Sequence, residues 1–528
     1  MNRKNDAVHV EKKEQDDYSS QPVDESLPTT PLVVFFALFI ALGGWLLNFD
    51  LTYSGTVLQM STFRSSFGTC IQEHGESSLV CSITALQQSL TNISSLFIGL
   101  GAALSGLLGS WLGRRTCIQL GCLIQAVGAA GSMGTAGNYV AYVACKCITG
   151  VGLGLLYAST LPYGIEFMPP RRRGAMIALF NIGLSLGSNC IGVICLGSSS
   201  LKSNWAWKIP IICEIPVAAV YGTFIMLYPE SPRWLVLHGR DEAAVEAFLS
   251  MYKGHMTRGK AEAIVASVKQ NIESYLDMAS STTWTEIFRR HYFPRMLTAA
   301  LVLIASIICG TFFVHTYVAL FFGQLKVSQN PFVLNCIIEA CSFPGACAGP
   351  FIAEGLGRRR AQLAGYAMLG SLMLIAGIVN TCLGSQNTTG LIVLITLLCL
   401  WSAIAAAFVT STAWLLASEL HSVRLRTYGQ AFVMGVSFIF QFANNFYLPY
   451  MLNPRYGNMG VNITYFFFGI SAAALVIVFF LVPETGLLSL KQLDNQWSAG
   501  QRAWQTSLRK NRTISARGQE FGLGLANE

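Results

Sequence analysis

Charge is what this sequence lacks. Asp, Glu, Lys and Arg make up 12% of its 528 residues and apolar types 52%, where a soluble domain carries about 25% charge. Mean hydropathy is +0.48. A string of water-soluble domains is excluded. No nucleophile–base pair, metal-ligand spacing or phosphate loop is visible, so neither an enzyme nor a cofactor is expected. The first 30 residues hold no apolar core and read as a disordered cytoplasmic tail, not a cleaved signal peptide. The first apolar run then acts as an uncleaved anchor. The 15 cysteines lie mostly inside apolar runs, as small core-filling side chains. Cys70 and Cys81 instead flank a polar loop, where a bridged and a free pair both remain open.

Long apolar runs are what is present. A spanning helix needs about 20 such residues, and about twelve runs qualify. They fall at roughly 31–54, 91–112, 116–136, 139–163, 174–197 and 205–228, then roughly 295–323, 331–353, 361–383, 391–417, 427–450 and 463–482. Arginine clusters (114–115, 171–173, 358–360, 424 and 426) all fall on one side if the spans alternate, while the 384–390 loop has no Lys or Arg. This positive-inside bias puts both termini in the cytoplasm. The net charge of +8 therefore belongs to a lipid-embedded chain and does not signal nucleic-acid binding.

The chain also repeats itself. Glu166…Arg173 returns as Glu419…Arg426, offset 419 − 166 = 253. Gly113-Arg114-Arg115 returns as Gly357-Arg358-Arg359, and Pro229-Glu230-Ser231 as Pro483-Glu484-Thr485. Ordered recurrence at nearly one spacing, offsets 253, 244 and 254, implies two homologous halves, an organisation suited to moving a solute between them. The expected fold is an all-α membrane protein of twelve transmembrane helices in two pseudo-symmetric six-helix bundles, 31–228 and 295–482. Between them 229–294 forms a cytoplasmic loop with amphipathic helices from Asp241 and over 260–278. Those helices either latch the halves together or serve as a solvated linker. A basic cytoplasmic tail, 483–528, follows. Glycine-rich runs such as 99–109 and 150–154 are read as close helix contacts. The sequons at Asn387 and Asn462 lie too near a membrane face for modification to be expected, and Asn511 lies inside.

From about 31 to 490 these residues resemble the sugar porter family of the major facilitator superfamily, of the fungal sugar–proton symporter type. Pro229-Glu230-Ser231-Pro232-Arg233-Trp234-Leu235 matches the family motif unchanged, and the repeated motifs add to it. The resemblance implies a cytoplasmic gate built from Arg114, Arg115, Glu166, Arg173, Glu230, Arg233, Glu354, Arg358, Arg359, Glu419, Arg426 and Glu484. An isolated surface ion pair contributes about 0–1 kcal/mol, and a partly dry network several times that. The alternative is that these residues only orient helices and anchor headgroups. The acid and base that usually precede the first Gly-Arg-Arg are here Ser110 and Trp111, so Glu230 is expected to serve more than one arginine.

Charges within spans cost about 2.5–3.5 kcal/mol each. Asp50 and Lys146 fall where proton-coupled relatives hold an Asp and an Arg as a proton site. Pairing would hold Asp50 ionised and separation would let it take a proton. A static packing pair is the competing reading. Glu214 and Glu339 either face the solute or are hydrogen-bonded in helix packing. His315 either titrates or stays neutral and bonded.

The family's solute amides in the seventh span are gone: aligning on Gly310 puts Ser306, Ile307 and Phe312 there. Candidate solute contacts are Asn181, Glu214, His315, Tyr317, Trp414, Gln441, Asn444 and Asn445, although such residues also bond helix to helix. The pocket reads as less polar than a hexose site. The leading expectation is a proton-linked carrier for a sugar or related neutral solute, a monomer in the plasma membrane whose partners are solute, protons and lipid. An exporter of a non-sugar metabolite is the second reading. A non-transporting nutrient sensor is the third, disfavoured by a tail of only about 45 residues.

Overall fold

The computed structural model describes residues 30–72, 79–168, 173–280, 284–325, 329–384, 387–422, 425–488 and 490–514. Twelve helices among them are long and apolar enough to cross a membrane. The first six spans are Pro31–Gln59, Ala85–Leu112, Arg114–Met133, Tyr139–Glu166, Gly174–Ser199 and Trp205–Leu227. The second six are Phe293–His315, Pro331–Gly355, Arg358–Leu383, Thr388–Glu419, Tyr428–Leu452 and Gly460–Leu481. The chain is an integral multi-pass membrane protein whose spans fall into two sets of six. Strands β1 (Thr69–Gln72) and β2 (Leu79–Ser82) pair antiparallel with Cys70 opposite Cys81, and those cysteines form a disulfide. This hairpin marks one face of the molecule; the Gly-Arg-Arg motifs mark the other, basic, face.

Small residues let the spans touch through their backbones. A Cβ on Gly154 would lie 2.2 Å from the Ile98 carbonyl oxygen, joining spans 4 and 2; one on Gly183 would lie 2.0 Å from that of Ala41, joining spans 5 and 1.

The repeated motifs work as helix-end caps, once in each half. Gly113 turns the chain into span 3 at φ +91°, and Gly357 turns it into span 9 at φ +88°. The span-3 start leaves backbone N–H groups unmet. Glu230 Oε1 accepts from Arg114 N–H (2.9 Å) and Arg115 N–H (3.1 Å). In the other half Glu484 accepts from Arg358 N–H (2.9 Å) and Arg359 N–H (3.2 Å). A carboxylate at a helix N-terminus also opposes the helix dipole. The second arginine of each motif reaches the other way. Arg115 donates to the Tyr228 carbonyl (3.2 Å) just past span 6, and Arg359 to that of Val482 (2.9 Å) just past span 12. Glu230 thus does serve two arginines, through their backbones.

The segment after span 6 folds as Pro232–Leu237, Asp241–Met251 and Arg258–Ser280. Val245, Phe248 and Met251 pack with Phe36, Ile40 and Phe167 of the first half, and Tyr252 donates to the Phe167 carbonyl (2.9 Å). The helices therefore dock on the N-terminal half. Lys269 bonds Asp241 (2.5 Å), tying two of them together, and this carboxylate holds the ammonium pKa above its usual value. The tail docks likewise on the other half, through a helix at Leu490–Ser498 and an ion pair between Asp494 and Arg295. Asn511 is buried and donates to the carbonyls of Glu484 and Gly486 (both 2.9 Å).

Span 7 departs from the single helix expected over 295–323. It breaks after Ile308, where Gly310 adopts φ +117°, into Thr311–His315 and then Val318–Gln324. The break frees backbone groups, and the Ser306 carbonyl accepts from the Thr311 hydroxyl (2.8 Å) and the Cys309 thiol (3.3 Å).

Gly113→Ala is expected to destabilise the chain. A Cβ there would stand 2.4 Å from Glu230 Oε2, and the φ alone costs about 1–3 kcal/mol. Thermal unfolding of the detergent-solubilised protein should show a clear fall. Gly106→Ala, whose Cβ meets nothing within 4 Å, should not. Equal melting temperatures would contradict the cap.

Candidate functional site

The buried charges gather toward the disulfide-bearing end of the first half. Asp50 on span 1 and Lys146 on span 4 are 1% and 2% exposed and form an ion pair. The Lys146 ammonium stands 5.1 Å from the centre of the Tyr53 ring. Glu214 on span 6 is equally buried, accepts from Gln125 of span 3 (3.1 Å), and lies in electrostatic range of both Asp50 and Lys146. Of the two readings open for Glu214, this is the one in which it is hydrogen-bonded within the helix packing. Span 6 turns it into the bundle, where two acids share one base. A lone ion in so dry a site is costly, and a paired one much less so.

Of the other candidates, Tyr317 is fully buried in a contact between the halves. Its hydroxyl accepts from Asn92 of span 2 (2.8 Å) and donates to the Asn445 carbonyl of span 11 (3.0 Å). Ser89 donates to the Phe446 carbonyl beside it (2.7 Å). One residue before Tyr317, Thr316 presses its carbonyl against span 1, where a Cβ on Gly55 would meet that oxygen at 2.2 Å. These contacts close the disulfide-bearing end, so Tyr317 belongs to a seal.

Deeper, Trp414 of span 10 stands edge-on to Tyr157 of span 4 (6.1 Å between ring centres), and Tyr157 also meets Phe438 of span 11 (6.3 Å). Ser185 and Ser342 bond across spans 5 and 8 (2.8 Å). Span 10 carries a π-helical stretch, Ala405–Thr410, just before Trp414, a distortion frequent at functional sites. Asn181 is half-buried, while Gln441, Asn444 and Asn445 are buried. Asn444 accepts from Tyr447, but its amide nitrogen and both amide atoms of Asn445 are unpartnered. His315 and Glu339, assigned to no common site by the sequence, lie together: Nδ1 is 3.1 Å from both carboxylate oxygens. The pairing was missed because the residues sit on different spans, 24 positions apart.

On the basic face the motif residues mirror one another. Ser231 donates to Glu166, and Thr485 to Glu419 (2.5 Å). Arg358 pairs with Glu419 (3.4 Å), while Arg114 and Arg233 lie in electrostatic range of Glu166. Each of these contacts lies within one half. Glu354, expected in the gate, is exposed and pairs with none of the described residues. The side chains of Arg173 and Arg426 lie outside the described residues.

The family model described as "Sugar (and other) transporter" matches residues 36–497. The chain belongs to that family. "Probable glucose transporter rco-3" of Neurospora crassa is 23% identical over 92% of this chain and 82% of its own length. "MFS transporter fmqE" of Aspergillus fumigatus is 26% identical over 86% and 83%. The proton:xylose symporter XylE from E. coli shares the fold at 18% identity, with a TM-score of 0.69 over 88% of this chain and 99% of that one.

Gly55→Ala is expected to loosen the seal. Overpacking costs about 1–3 kcal/mol, so amide exchange in 311–325 should rise about tenfold. Unchanged exchange there would contradict the contact.

Proposed function

We propose that this protein is a proton-coupled carrier for a sugar or a related neutral solute, working by alternating access as a monomer in the plasma membrane with both termini cytoplasmic. The observation that carries the reading is the buried Asp50–Lys146 pair. Its two members stand on different spans, so a movement of span 1 against span 4 alters the pairing. Paired, Asp50 keeps its charge; parted in a dry site, it favours a proton. Protonation and helix position are then coupled by one free energy, and the coupling runs both ways.

The halves supply the moving bodies. Mirrored caps stiffen each half on the basic face, and the seal around Thr316 and Tyr317 closes the other end. Opening at the basic face would expose Trp414, Asn181 and the unpartnered amides of Asn444 and Asn445 as hydrogen-bonding and stacking groups for a hydroxylated ring. The arginine-rich loops support a cytoplasmic basic face.

A second reading, export of a less hydroxylated metabolite, is favoured by span 7. Ser306 donates to its own Leu303 carbonyl (2.8 Å), and Ile307 and Phe312 offer no hydrogen bond.

Uptake of labelled glucose and xylose into proteoliposomes tests both. An inward proton gradient should drive accumulation, and Asp50→Asn should reduce it to the level of empty vesicles. Sugar flux indifferent to the gradient would defeat the coupling. No sugar flux, with resistance of expressing cells to an exported compound, would favour the second reading.

A further inference from the structure

The contact between Gly55 and Thr316 has a buried acid on either side of it. Asp50 lies five residues before Gly55 on span 1. His315 immediately precedes Thr316 on span 7, at the end of the short helix that follows the break at Gly310. We propose that His315 and Glu339 form a second proton-binding site, in the C-terminal half, and that a proton held there keeps the seal shut. The proposal rests on the transport reading, but its test needs no solute.

Glu339 is fully buried on span 8, and its two oxygens share one imidazole nitrogen at 3.1 Å. Glu339 is the charged group acting on His315, and the Cys336 thiol is the other titratable group beside Glu339. Cys336 in turn faces Cys195 of span 5. From span 11 the neighbouring seal residue is Asn445, and the Tyr317 phenol is already bonded to Asn92 and to the Asn445 carbonyl. Asp50, Lys146 and Glu214 face one another within the first half. No Lys or Arg among the described residues pairs with Glu339. With His315 neutral, an ionised Glu339 would be an uncompensated charge in apolar surroundings. One proton taken from water makes an imidazolium–carboxylate pair of net charge zero. The His315 side chain is 18% exposed, against 0% for Glu339, so the imidazole is the member through which the proton enters and leaves. Releasing it restores the bare carboxylate, which is tolerable only once water enters. The bound proton and the closed seal therefore favour each other. Because Thr316 is the next residue, the change reaches the seal without an intermediary.

Amide exchange of 311–325 and 85–95, corrected for intrinsic rates, should be followed from about pH 5 to 8, the range in which histidine titrates. Protection in the wild type should increase about fivefold or more as pH falls through one transition. His315→Gln and Glu339→Gln should flatten it, whereas Asp50→Asn should leave it in place. If His315→Gln does not fold, Glu339→Gln keeps the shape, removes the charge and decides alone. A flat wild-type profile, a transition surviving in both variants, or one abolished by Asp50→Asn would each overturn the proposal. Absence of sugar uptake would defeat the transport reading and leave this result standing.

Discussion

A charge placed among hydrocarbon must take its counter-charge with it, and much of this molecule follows from that constraint. Asp50 meets Lys146, Glu339 meets His315, and Glu214 has Gln125 with Lys146 in range. Each pairing bridges two spans, so none can be broken without moving one helix against another. That turns a solvation cost of a few kilocalories per mole into a handle on conformation. The same accounting governs uncharged groups. The break in span 7 persists because Thr311 and Cys309 meet the carbonyl it frees, and such irregular backbone is tolerated where protein surrounds it.

On the basic face the physics is different, because water is at hand. The repeated charges could have formed only guanidinium–carboxylate pairs, worth little when exposed. They act instead on helix ends. Glu230 and Glu484 cap the starts of spans 3 and 9, and Arg115 and Arg359 cap the ends of spans 6 and 12. The middle helices brace one half and the tail braces the other. Each half is thus fastened within itself, and freedom is left between halves. A carrier needs that division of stiffness.

Much of this was legible in the sequence, for identifiable reasons. Apolar length fixes the spans, and motif offsets of 244 to 254 fix the two halves, so both matched closely. Depth along a helix could also be read, while the link between Asp50 and Lys146 came from the family resemblance. Azimuth could not be read. Glu214 was left between the solute and the helix packing, and it turns toward Gln125. His315 and Glu339 stayed separate because nothing local joins residues on different spans. Glu354 looked like a gate acid by position and stands in the open. The tail helix was missed because nine mostly polar residues carry little periodic signal, and its anchor, Arg295, lies about 200 positions away.

The account stands or falls on two stiff halves that tilt about a closed seal. Spin labels would be placed on exposed sites of the two halves, at 61 and 388 on the disulfide face and at 238 and 360 on the basic face. Distances would be read by pulsed electron resonance in liposomes at about pH 5 and 8. The account predicts opposite changes: the pair on one face draws apart as the other closes, while label pairs within a half hold their separation. Distances that stay fixed on both faces, or that change within a half, would contradict it.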